Sequence, residues 1–222
     1  MLKTSTIGNQ IYKQLRREIL EMRFLPGEKI SEAQLATKYN VSRAPIRDAI
    51  RSLEQERLVI VKPQVGTIIS PVSLDRAVDI CQIRLLLEPH AAYISAEKIP
   101  NEDLAKLEVS FNSIAKLNIK PEEKKSLIFE TDLNLHKTIW KFSGNDEIYR
   151  ILNGYLGQMG RIRLTTAELA SRLSPSVKEM FKIFTALKTR NPKAAQSAMY
   201  THIFNIKNAV EDVLKSTQIA DK

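Results

Sequence analysis

The stretch "YNVSRAPIRDAIRSLEQERLV", residues 39–59, carries the reading of the first third of the chain. Asn40 and Ser42 break what precedes them, and Ser42 stands where a helix N-cap belongs, so a helix is expected from there to about Gln55. Pro45 falls in the first turn, where a backbone N–H has no intrahelical partner and its loss costs little. Ile46, Ala49, Ile50 and Leu53 recur every three or four residues and make one apolar face. Arg43, Arg47 and Arg51 recur every four and point together from the opposite face. Such a stripe is either a solvated basic surface or a surface that meets an anion. Arginine can bind guanine O6 and N7 in the major groove, and a helix N-terminus suits a phosphate oxygen.

The neighbours of this helix favour the second reading. Ile11, Leu15, Ile19 and Met22 predict an amphipathic helix over 8–22, and Pro26-Gly27 ends it. Ser31, with Gln34 three residues on, starts a short helix to Tyr39. After the arginine helix, "LVIVKPQVGTIISPV" reads as strands Leu58–Lys62 and Thr67–Ser70 around a Pro/Gly turn. Three short helices and a hairpin are the order of a winged helix-turn-helix, placed at residues 1–72. Residues 1–73 hold 12 Lys/Arg against 7 Asp/Glu, net +5, and the other 149 hold 22 against 18, net +4. The basic excess is denser where the motif lies, as an anionic partner requires.

Residues 73–222 change character to an all-helical bundle, which makes the whole chain mainly α. Helices are expected at Leu74–Lys98, Asn101–Leu117, Pro121–Phe142, Asp146–Arg172, Ser174–Thr189 and Pro192–Leu214, with segments 1–7 and 216–222 frayed. The single cysteine, Cys81, excludes a disulfide within the chain. No apolar run is long enough to span a bilayer and no signal segment opens the chain, so no membrane partner and a cytoplasmic location are expected.

"PGEKISEAQLATKYNVSRAPIRDAIRSLEQERLV" followed by "GTIIS" resembles the signature of the GntR family of bacterial transcription regulators. The resemblance implies DNA contacts by Ser42, Arg43 and Arg47 in the major groove, Gly66 and Thr67 on a wing at the minor groove, and Arg51 at the backbone. Two positions depart from the pattern: Ala33 replaces an arginine common in the second helix, and Arg57 stands where the family favours glycine. Arg57 either enlarges the phosphate-facing surface or is simply solvated, and the solvated reading is preferred.

"QIRLLLEPHAAYISAEKI", with Arg84 and Glu88, is similar to the first helix of the effector-binding domain of the FadR-like subfamily, a helical bundle around a polar cavity that often holds a divalent metal. In "FETDLNLHKTIW", Asp132 and His136 are four apart and share an inward face; His202 lies on the apolar side of the last helix. A carboxylate and imidazoles suit zinc, nickel or manganese, yet a core histidine would read the same way. The subfamily's metal set is one aspartate and three histidines. Asp132, His136 and His202 match three of them, and Met180 occupies the fourth position, where a thioether is a poor ligand for such ions. His90 has no counterpart in that set and is read as a helix-surface or hinge-facing residue. Three outcomes stay open: a three-ligand metal site, direct hydrogen bonding of an effector by these groups, or a largely apolar pocket for a different molecule. For an organic acid as effector, Arg84 is the leading counter-charge, with Arg161 and Arg163 as additions.

The expectation is therefore a homodimeric, effector-responsive regulator, a repressor, binding a palindromic double-stranded DNA operator, and not an enzyme. A metal-dependent enzyme using Asp132, His136 and His202 is the rival, but no paired general base or nucleophile motif accompanies them. An architectural DNA binder would leave the inward polar set unexplained.

Overall fold

The computed structural model describes residues 7–20, 22–116, 125–165 and 172–220, with the side chains of 116, 162–165 and 216–220 outside the description. The chain divides into two compact units: residues 1–73 with 155–165, and residues 74–154 with 166–222.

In the first unit α1 (Ile7–Leu20) leads into a short strand β1 (Lys29–Ile30), then α2 (Glu32–Tyr39), α3 (Arg43–Gln55) and the hairpin β2 (Val59–Lys62) and β3 (Gly66–Ile69). Ser31 caps α2 as its position predicts, its Oγ accepting from the Gln34 N–H at 3.1 Å. Ser42 occupies the N-cap of α3 but makes no side-chain capping bond. Pro45, third in the helix, has no N–H to offer it. The apolar face of α3 is buried as expected: Ile46, Ala49, Ile50 and Leu53 join Leu15, Ile19, Leu35, Leu58, Val59 and Ile69 in one core. Each large aliphatic side chain so buried contributes about 1.5–3 kcal/mol.

The sheet has one strand that the sequence did not suggest. The antiparallel order is β1-β3-β2, with Ile30 opposite Thr67 and Val61 opposite Thr67 on the other side. β1 has only two residues, too few to show a period of two. Side chains on β3 alternate between faces, so Thr67 turns inward with Ile69 while Gly66 stays exposed. Arg57 adopts φ 57, the left-handed conformation that ends many helices, and its N–H reaches the Glu54 carbonyl at 2.8 Å. The glycine of the family pattern is thereby explained: this position needs a backbone that suits glycine best.

Glu18 is a buried polar joint of this unit. It accepts from Gln14 at 2.7 Å, Lys38 at 2.5 Å and Tyr39 at 3.2 Å, tying α1 to α2.

The second unit contains α4 (Leu74–Lys98), α5 (Asn101–Lys116), α6 (Lys125–Phe142), the first half of α7 (Asp146–Thr165), α8 (Leu173–Lys188) and α9 (Pro192–Ala220). No strand occurs there among the described residues, and α4 packs along α9. The expected start of α6 at Pro121 and the end of α7 at Arg172 cross residues 117–124 and 166–171, outside the described residues. Ile7 is helical and α9 runs on to Ala220, so the ends are helical further than expected. Phe111 packs against Phe181 and Phe184, with ring centroids 4.8 and 4.6 Å apart, fastening α5 to α8. Arg190 caps the end of α4, donating to the carbonyls of Ala96 (3.2 Å) and Ile99 (2.5 Å). No helix among the described residues is long and apolar enough to cross a membrane.

Candidate nucleic-acid interface and metal centre

Burial of the apolar side of α3 leaves the other side in solvent. Ser42, Arg43, Arg47 and Arg51 are all exposed. They are not equivalent. Arg47 Nε donates to Glu32 Oε2 at 2.8 Å, a link from α3 to the first turn of α2. Arg51 stands 4.0 Å from Asp48, one turn back on its own helix, and both are largely exposed. At the hairpin tip Gln64 (φ 60) and Gly66 (φ 112) take left-handed backbone, and Gly66 is the position where a Cβ would come within 3.1 Å of Lys29 Cε. Thr67 has to be withdrawn from the expected contacts as a side chain, because the strand alternation buries it.

The second unit holds a compact polar cluster in its interior. α6 presents Asp132 and His136 one turn apart, and α9 presents His202; all three are buried. Asp132 Oδ1 lies 3.4 Å from His136 Nε2 and 3.4 Å from His202 Nε2, and one donor atom from each residue falls within 4.8 Å of the others. Neither Nε2 has a hydrogen-bond partner although both are buried. Buried polar atoms are normally satisfied, so two imidazole nitrogens turned toward one carboxylate oxygen point to a missing third party. Two ligands held 2.0–2.1 Å from one ion at a tetrahedral angle stand about 3.3–3.4 Å apart, which is the spacing of Asp132 Oδ1 from each Nε2. The residues present therefore fit a borderline divalent cation.

Each imidazole is held from behind by a carboxylate. His136 Nδ1 meets Glu88 Oε2, and the same glutamate accepts from Arg84 Nε and, at 3.1 Å, from Trp140 Nε1. His202 Nδ1 meets Glu179 Oε2 at 2.9 Å, and Glu179 also accepts from Asn205 at 2.8 Å and from Arg172 at 2.8 and 3.1 Å. Burial pushes the Glu88 carboxyl up, but Arg84 and His136 outweigh it and hold it down at about 2. Burial lowers the His136 pKa, and the nearby Glu88 and Asp132 overcome this and raise it to about 9. Glu179, desolvated in part, is nonetheless held below the ordinary carboxylate value by His202, Asn205 and Arg172.

Two expected effector contacts change. Arg84 is buried, and its charge is committed to Glu88, so it is not a free counter-charge for an organic acid. Arg161 groups with the first unit and donates to the Ser70 carbonyl, apart from the polar cluster of the second unit. The side chain of Arg163 lies outside the described residues. Met180 is fully buried in α8 and brings no nitrogen to the cluster. His90 is exposed on α4, in keeping with the helix-surface reading. Glu179 was missed by sequence reasoning: its partners lie on α9, and only the Arg172–Glu179 spacing of two helical turns hinted at a shared face.

Comparison with known proteins agrees with both units. Residues 7–69 match the model for bacterial regulatory proteins of the gntR family, and residues 79–205 match the FCD domain. Over 212 residues the chain is 26% identical to the HTH-type transcriptional repressor RspR of Escherichia coli strain K12, covering 95% of this chain and 91% of that protein. It is 24% identical to the gluconate operon transcriptional repressor of Bacillus subtilis strain 168, covering 100% of this chain and 92% of that one. The solved structure of E. coli McbR/YncC superposes with a TM-score of 0.76 at 16% identity, covering 94% of this chain and 99% of that chain, a likeness of fold. A signature helix with its arginines outward, followed by a helical bundle of matching extent, assigns this chain to the GntR family of bacterial transcription regulators, with an FCD domain as its second part.

Proposed function

We propose that the chain acts as a homodimeric repressor whose hold on a palindromic operator is set by a small anionic molecule bound in the FCD domain through a divalent metal ion. Ser42, Arg43 and Arg47 read base edges in the major groove, Arg51 meets the backbone, and Gly66 lets the hairpin tip approach the minor groove. A two-fold dimer calls for two half-sites of matching symmetry. Asp132, His136 and His202 would hold the ion, zinc, nickel or manganese. Once bound, the ion supplies a Lewis-acidic point for carboxylate oxygens of an organic acid. The protein's own residues do the rest: Glu88 and Glu179 fix the imidazoles, and the bundle encloses the cluster. Differential binding of the effector by two states of the dimer then changes operator affinity by the same free energy.

The observation that carries this reading is the pair of buried, unpartnered Nε2 atoms facing Asp132 Oδ1 in a chain of this family. Its test selects an operator from random duplexes and measures affinity with metal-free protein, with zinc or manganese, and with metal plus citrate-like polycarboxylates. Operator affinity that changes only when metal and acid are both present supports it. Affinity indifferent to both counts against it.

A further inference from the structure

We infer that Glu88 and Glu179 are positioning residues which decide that His136 and His202 bind a metal through Nε2, and with what affinity; this rests on the metal reading above. Both histidines use the same device. Nδ1 is engaged by a carboxylate on a neighbouring helix, Glu88 on α4 for His136 and Glu179 on α8 for His202, while Nε2 faces Asp132. A ring can rotate about its side-chain bonds and offer either nitrogen. A carboxylate partner removes that freedom, orients the ring and makes the remaining nitrogen a stronger donor. A network built only to bury charge would satisfy Nε2 as well. Here the satisfied atoms are all on the Nδ1 side, and Nε2 of both rings has no hydrogen-bond partner.

The two glutamates are themselves held. Glu88 accepts from Arg84 and Trp140 in addition to His136 and is wholly buried. Glu179 accepts from Arg172 and Asn205 in addition to His202, with its side chain 11% exposed. Neither can turn away without breaking two further bonds. The cluster is thus braced from two sides, by α4 and by α8, and its two supports differ in depth. Glu179 is the one that can be altered with least risk to folding, since Glu88→Gln leaves buried Arg84 without its counter-charge.

The experiment titrates zinc into metal-free parent, Glu179→Gln and Glu88→Gln by isothermal calorimetry with a competing chelator. Circular dichroism melts of the metal-free proteins check the fold. Gln keeps the shape and one acceptor oxygen but not the charge. The expected result is one ion per chain in the parent and an affinity about 10- to 100-fold weaker in Glu179→Gln, whose metal-free form still unfolds in one cooperative transition. Two-bond 15N–1H spectra of the zinc-loaded parent provide a second readout that does not depend on any variant folding: both rings should be metal-bound at Nε2 and protonated at Nδ1. Coordination through Nδ1 on either ring overturns the assignment, as does a parent-like affinity in folded Glu179→Gln. A parent that binds no zinc, nickel or manganese brings down the metal reading itself and this inference with it, an outcome distinct from a parent that binds and a variant that binds equally well.

Discussion

His202 Nε2 and Asp132 Oδ1, from α9 and α6, stand 3.4 Å apart in the interior of the second unit, and no hydrogen bond is made by that nitrogen. His136 repeats the relationship at the same distance from one turn along α6. A buried polar nitrogen without a hydrogen-bond partner is costly, commonly about 1–3 kcal/mol, and a cation held between these groups would relieve that cost. Replacing Asp132 with Asn keeps the shape and removes the charge. Asp132→Asn and His202→Ala should each abolish stoichiometric zinc uptake, measured by elemental analysis after dialysis, while leaving operator binding by the metal-free protein within about twofold.

Arg47 and Glu32 give a prediction for discrimination between DNA sequences. The pair is exposed, so its contribution to stability is small, about 0–1 kcal/mol. If Arg47 reads the groove as proposed, Glu32 places a negative charge beside it and also holds it in one direction. Glu32→Gln should tighten binding to random duplex and lower the ratio of operator to random affinity. Fluorescence anisotropy with both duplexes at matched salt measures the ratio. An unchanged ratio would show that Glu32 has no part in reading.

Arg57 offers a stability prediction. A non-glycine residue in left-handed backbone carries a steric cost of roughly 1–2 kcal/mol, partly recovered if glycine replaces it. Arg57→Gly should therefore stabilise the first unit by about 1 kcal/mol net, seen as a higher urea midpoint by circular dichroism. A fall in the midpoint would mean that the Arg57 side chain contributes more than its backbone costs.

Glu18 sets a pH dependence. Burial raises its pKa, but bonds from Lys38 and Gln14 prevail and leave it below the ordinary carboxylate value. A group depressed in the folded state stabilises above its unfolded pKa, and that stability is lost as pH falls through the folded value. The parent should lose more stability than Glu18→Gln between pH 7 and pH 3, compared by urea unfolding at the two pH values. Equal losses would mean that the Glu18 charge does not stabilise the fold.

The elements were legible where periodicity ran long. α3 with its four buried apolar residues, α4 over Leu74–Lys98, and the hairpin all follow from spacing and punctuation. What failed was what depends on a partner from elsewhere in the chain. β1 exists because β3 lies beside it, not because two residues prefer a strand. Thr67 reads as a wing residue until the register places it on the inner face. Arg161 looks like a counter-charge for a ligand until its bond to the distant Ser70 carbonyl is seen, whereas Glu88, which pairs with Arg84, stands only four residues on in the same helix and was open to view. Asp132, His136 and His202 could be nominated from their helical faces, yet their convergence on one oxygen and the bracing by Glu179 are properties of packing.

The outer face of α3 is proposed to read DNA. The most direct test is the affinity of Arg43→Ala and Arg47→Ala proteins for an operator selected with the parent, measured by mobility shift alongside a random duplex. Loss of an arginine contact to a guanine costs about 1–3 kcal/mol, so each variant should bind the operator roughly 5- to 150-fold more weakly, with a smaller loss on random DNA. Parent-like operator binding by both variants would contradict the claim.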